Sequence, residues 1–100
     1  MHNQDLIFDI IPKDLFDIRR AGTLVETIQH LINQCHPGTT KMTLETLSGE
    51  ESTAAIPFDM SNRALHGLLH GGAYFTVGDT ITAMMCLFFI EEPNERMLTI

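Results

Sequence analysis

Basic side chains are scarce in this sequence: six Lys and Arg stand against 13 Asp and Glu, for a formal net charge of −7. The six (Lys13, Arg19, Arg20, Lys41, Arg63, Arg96) are scattered along the chain. A phosphate-tracking surface needs them clustered, so nucleic acid is not an expected partner. Cysteine is scarcer still. Cys35 and Cys86 have no second cysteine or histidine at zinc-ligand spacing, although His36 adjoins Cys35. Two thiols without a signal peptide suit a reducing compartment in which both stay unpaired. The N-terminus, Met1-His2-Asn3-Gln4-Asp5, lacks the basic region and apolar stretch of a secretory signal, and the expected location is cytoplasmic. Repeats, low-complexity tracts and linkers are absent. A charged fraction of 19% is too low for a disordered chain, and 44% apolar residues is the composition of a globular protein. One hundred residues make at most one small domain.

What is present divides into an N-terminal helical lead-in, residues 1–38, and a second part, residues 39–100. Residues 5–22 mix apolar and acidic side chains around Pro12, and a short helical turn is expected there. From Thr23 the pattern sharpens. Leu24, Val25, Ile28, Leu31 and Ile32 form one stripe of an amphipathic helix, which His36-Pro37-Gly38 ends. Thr39 to Leu47 reads as a strand with Met42 and Leu44 on one face, and Ser48-Gly49-Glu50-Glu51 as a turn. Thr53 to Met60 alternates, with Ala54, Ile56, Phe58 and Met60 on one face; Pro57 predicts an edge position or a bulge. The two runs predict a β-hairpin with a four-residue connection.

Ala73 to Ile90 is almost wholly apolar or small, and a helix is expected. It contains Asp79, and an Asp near the middle of a membrane span costs roughly 2.5–3.5 kcal/mol on insertion. Its flanks carry no basic anchor, so a helix enclosed by protein is expected rather than a membrane span.

The chemistry concentrates just before and within this run. Gly71 and Gly72 permit close backbone approach, and a helix's first turn exposes N–H groups with partial positive charge, a natural hole for a polarised carbonyl oxygen or an anion. Asp79 lies eight residues beyond Gly71, about 12 Å along an α-helix. A carboxylate so far along the axis does not reach a carbonyl held at its own helix's N-terminus. Two helices antiparallel about a two-fold axis would bring Gly71 of one to Asp79 of the other. A carboxylate in so apolar a setting points to function more than to solvation. His70 reads first as a loop-holding side chain. His66 and His70 stand four apart, but no third ligand is near, so no metal is expected. Met84, Met85, Phe88 and Phe89 read as core or as acyl-pocket lining, core being the first reading.

The stretch Gly67-Leu68-Leu69-His70-Gly71-Gly72-Ala73-Tyr74-Phe75-Thr76-Val77-Gly78-Asp79-Thr80 resembles the motif of hotdog-superfamily acyl-CoA thioesterases, of the phenylacetyl-CoA and mammalian medium- to long-chain types. The resemblance covers residues 39–100. It implies an α+β hotdog fold, an antiparallel sheet wrapped around a long central helix, in a homodimer or tetramer of fatty acid metabolism. It also implies an acyl-CoA (or acyl-carrier) thioester as substrate and no cofactor; that no membrane is a partner is the expectation already drawn from the apolar run. Gly71 would donate its N–H to the thioester oxygen, and Asp79 of the partner subunit would act as nucleophile or general base. His70, Gly72, Asn62 and Thr80 would bind or shape the substrate site. Two departures stand out. Many relatives carry Asn six residues before the motif His, where this sequence has Ala64; Asn62 lies two residues earlier. The family's remaining strands are also missing after Ile100, so the chain is expected to be a C-terminally truncated piece, marginal or aggregation-prone alone.

Overall fold

The computed structural model describes residues 8–20 and 22–89. The first long element, helix α1, spans Leu24–Ile32. Thr23 and Glu26 start it with a reciprocal capping box: Thr23 Oγ1 accepts the Glu26 N–H at 3.2 Å, and Glu26 Oε1 accepts the Thr23 N–H at 3.1 Å. Its apolar stripe buries Ile28, Leu31 and Ile32, as the spacing predicts. Pro37 then opens a 3-10 helix, His36–Thr40, which Lys41 closes in the left-handed region at φ 62°.

Strand β1, Thr43–Leu47, pairs antiparallel with β2, Ser52–Ala55. The four residues between them turn with Ser48 N–H on the Glu51 carbonyl at 2.9 Å. The hairpin is as expected; its limits are not. Residues 39 and 40 belong to the 3-10 helix, because Thr39 Oγ1 and Thr40 Oγ1 bond back to the carbonyls of His36 and Pro37, both at 2.7 Å. The irregularity in pairing lies between Leu44 and Thr46 rather than at Pro57. β2 stops at Ala55, so Phe58 and Met60 are exposed instead of continuing the face of Ala54 and Ile56.

Gln29 ties α1 to the outer edge of β1. Its Nε2 donates to the Met42 carbonyl at 3.1 Å and its Oε1 accepts the Leu44 N–H at 2.6 Å. One amide thereby takes the place of a neighbouring strand on an otherwise open edge.

Helix α2 spans Gly71–Cys86 and passes into a 3-10 turn, Leu87–Phe89. It begins two residues earlier than the apolar run suggests, because its cap is His70. The core joins Phe8, Ile28, Leu31, Ile32, Met42, Leu44 and Phe88, and so draws on the lead-in, α1, the start of the hairpin and the 3-10 turn after α2 together. The molecule is α+β, with a two-stranded antiparallel sheet. Contrary to the expectation from the sequence, the described residues do not enclose the helix. Tyr74, Phe75 and Phe89 are exposed, because two short strands cannot wrap a helix of this length. By length and composition alone, Gly71–Phe89 could also cross a membrane.

Candidate active site

The loop before α2 is held from below by Asn62, which is only 3% exposed. Its Nδ2 donates to the Thr40 carbonyl at 2.8 Å and the Pro57 carbonyl at 2.9 Å. Its own carbonyl accepts the His70 N–H at 2.7 Å. Asp59 caps the short 3-10 helix Met60–Asn62 that carries it. The Lys41 ammonium, 2.8 Å away, and then Ser61 hold the Asp59 carboxyl below its ordinary range. Between Asn62 and His70 the chain turns back on itself. Ala64 N–H donates to the Leu68 carbonyl at 2.8 Å, and Gly67 N–H to the Ala64 carbonyl at 2.9 Å. Gly67 sits at φ 86°, where a side chain would be strained.

This scaffold delivers His70 as the cap of α2. His70 is extended, at φ −67° and ψ 132°, and its Nδ1 accepts the Gly72 N–H at 2.8 Å. An accepting Nδ1 places the ring proton on Nε2. A Cβ at Gly72 would lie 2.9 Å from Nδ1, so the cap depends on glycine there. The N–H groups of Ala73 and Tyr74 turn back to the His70 carbonyl at 3.0 and 3.4 Å. The Gly71 N–H is different. It has no acceptor among the described residues, the residue is exposed, and a Cβ built on it would meet nothing within 4 Å. One donor therefore stands open at the positive end of α2. Beside it runs a groove of about 510 Å³ lined by Ile56, Phe58, His66, Leu68, Leu69 and Tyr74. His66 Nδ1 accepts the Leu68 N–H at 3.2 Å, so both histidines serve the backbone.

Asp79 and Thr80 lie two turns further along the same helix, half-buried. Thr80 Oγ1 donates to the Thr76 carbonyl at 2.7 Å, while Thr76 Oγ1 meets His36 Nε2 at 3.3 Å. Because α2 is continuous from Gly71 to Cys86, eight residues separate Asp79 from Gly71 by about 12 Å of rise. His70, Gly71, Gly72 and the backbone of Asn62 are thus gathered at one end of α2, and Asp79 and Thr80 are not brought to them within one chain.

Asp79 and Thr80 instead edge a second cleft, of about 390 Å³, between α2, α1 and the segment Ile10–Phe16. Cys35 also lines it, and partial burial pushes its thiol pKa up. The aperiodic lead-in gave no sign of this cleft. The capping box does have a sequence signal, Thr23 followed three residues later by Glu26. No family model, no curated protein and no solved structure matches this chain.

Proposed function

We propose that the chain carries the site of a hotdog-type acyl-CoA thioesterase that works as a homodimer or larger homo-oligomer. The observation that carries this reading is the open Gly71 N–H at the start of a helix that bears a half-buried carboxylate two turns on. The thioester oxygen accepts the Gly71 N–H, which stabilises the negative charge that develops on it. Asp79 of the partner subunit takes a proton from water as the water oxygen bonds to the carbonyl carbon, or attacks that carbon itself to give an anhydride that water then opens. The carbon–sulfur bond breaks, and the thiolate leaves and is protonated. His70 holds the donor in place through Gly72, Asn62 holds the loop, and Thr80 lies beside the carboxylate.

Spacing also fixes the register of such a dimer. If Gly71 of one α2 faces Asp79 of an antiparallel partner, Phe75, midway between them, lies on the two-fold axis. Phe75 is 67% exposed, and a Cβ at Gly78 would meet nothing within 4 Å, so this face of α2 is open to a second helix.

The test is thiol release from octanoyl-CoA and phenylacetyl-CoA. Asp79→Asn is expected to reduce it to background. Gly71→Pro removes the N–H and little else. Proline is favoured at the first helical position, and His70 already has the backbone that a residue before proline adopts. Its turnover should fall by roughly 10²–10³-fold. Wild-type turnover in Asp79→Asn would contradict the mechanism.

A second reading, a hotdog module that binds acyl thioesters without hydrolysing them or an inactive fragment, is favoured by Ala64 and by the engagement of both Asn62 amide bonds with backbone. It predicts a ligand-dependent rise in Tm without thiol release.

A further inference from the structure

The roof of the cleft beside Asp79 is a strap anchored at its two ends. Ile10, Ile11, Pro12 and Phe16 cover the cleft from the lead-in side, while α1 and α2 form its walls. Ile10, Ile11 and Phe16 are each half-buried, and Lys13, Asp14 and Leu15 between them are exposed. The strap thus bridges a space of about 390 Å³ instead of packing into it, and forfeits the dispersion contacts that hold a core segment down. At one end Phe8 is buried in the core, with the Arg20 guanidinium over its ring at 4.3 Å. At the other, one side chain takes both backbone groups of Asp17. Gln34 Oε1 accepts the Asp17 N–H at 2.7 Å, and Gln34 Nε2 donates to the Asp17 carbonyl at 2.8 Å.

We propose that Ile10–Phe16 is a lid over the α1–α2 cleft, hinged at Phe8 and latched by Gln34 on the Asp17 backbone, and that its opening controls access to the inner flank of α2. His30 and Arg19 also meet the Asp17 carboxylate, at 3.4 and 2.9 Å, but exposed ion pairs add little, so the latch is the Gln34 amide. Between the anchors the strap bonds to itself: the Leu15 and Phe16 N–H groups both donate to the Pro12 carbonyl at 3.2 Å. These bonds travel with the strap when it moves. A segment with few buried apolar contacts and a two-bond latch belongs to the low-stability part of a fold, which opens locally. The helix shows what the opening uncovers. At roughly 100° per residue, Gly71, Phe75 and Gly78 share the open face of α2, while Thr80 and Ala83 turn toward the cleft. Asp79 lies between the two, so the lid governs the side of Asp79 turned away from the open face. That a substrate uses this side rests on the function proposed above; the lid rests on the strap and its latch alone.

A thiol placed under the strap tests this. In the full chain carrying Cys35→Ser and Cys86→Ser, Ala83→Cys puts the thiol in the cleft, and Glu50→Cys puts one on the exposed hairpin turn as a control. Labelling by fluorescein maleimide is timed with Gln34 present and with Gln34→Leu, which removes both latch bonds. Labelling at position 83 is expected to quicken roughly tenfold on that loss, and labelling at position 50 to stay the same. Hydrogen exchange supplies a second readout that needs no new thiol. In the chain with its own cysteines, the Leu15 and Phe16 amides should exchange well ahead of Ile28 in α1, and faster again in Gln34→Leu while Ile28 stays protected. Equal labelling at position 83 with and without Gln34, or Leu15 and Phe16 amides that exchange only as fast as Ile28, would overturn the lid. Neither readout involves turnover. Thiol release from octanoyl-CoA with no change at position 83 sinks the lid but not the hydrolase. Faster labelling at position 83 without thiol release does the reverse.

Discussion

Gln29 illustrates how much a single side chain carries here, since one amide satisfies a carbonyl and an N–H on the bare edge of β1. Gln29→Leu keeps the helix and the volume but strips both partners. It should cost roughly 1–3 kcal/mol, seen as a lower urea midpoint. His70 and Gly72 form a second such unit, because the ring reaches Gly72 N–H only while that residue has no Cβ. His70→Ala should cost about 1 kcal/mol, the usual value of a lost cap. Gly72→Ala displaces the ring and loses the same cap, although alanine regains up to about 1 kcal/mol of helix propensity. In a His70→Ala background the cap is already gone, so Gly72→Ala is expected to stabilise. A double-mutant cycle by chemical denaturation measures this coupling, and simple additivity would remove His70 from the capping role.

At the scale of elements, what was legible followed periodicity and turn chemistry. The stripe from Leu24 to Ile32 gave α1, the Ser48–Glu51 turn gave the hairpin, and the glycines before the apolar run located the start of α2 to within two residues. Element ends were less legible, because local side-chain bonds compete with the ladder. Thr39 and Thr40 have good strand propensity, yet their hydroxyls bond to the preceding turn and hold it as 3-10 helix. β2 ends before Pro57, which has no N–H to donate and whose carbonyl is taken by Asn62. Phe8 reaches the core without periodic support. At the site, the residue types at the start of α2 were readable, and so was their distance from Asp79, since both follow from a helix of known rise. The buried, backbone-bound state of Asn62 was not, because it depends on Thr40, 22 positions away.

The whole molecule leaves Phe58, Leu65, Leu68, Tyr74, Phe75 and Phe89 exposed. Phe58, Leu68 and Tyr74 share one groove, and exposed apolar side chains gathered in this way are the usual mark of an association surface. In the proposed dimer Phe75 sits on the axis, so Phe75→Glu places two carboxylates face to face. Sedimentation velocity should show the wild-type chain as a dimer or larger and Phe75→Glu as a monomer, with thiol release lost alongside. A dimer that survives this substitution would show that α2 pairs in another register or not at all. The central claim, that Gly71 and Asp79 act across two subunits, is tested most directly by mixing two dead variants. Gly71→Pro and Asp79→Asn chains are each inactive alone in this account, but a heterodimer has one site with both an intact N–H and an intact carboxylate. After subunit exchange at equal amounts, acyl-CoA hydrolysis should return to about a quarter of the wild-type rate, as random pairing in a two-fold dimer requires. Failure of the mixture to recover any activity, with exchange verified, would contradict a shared site.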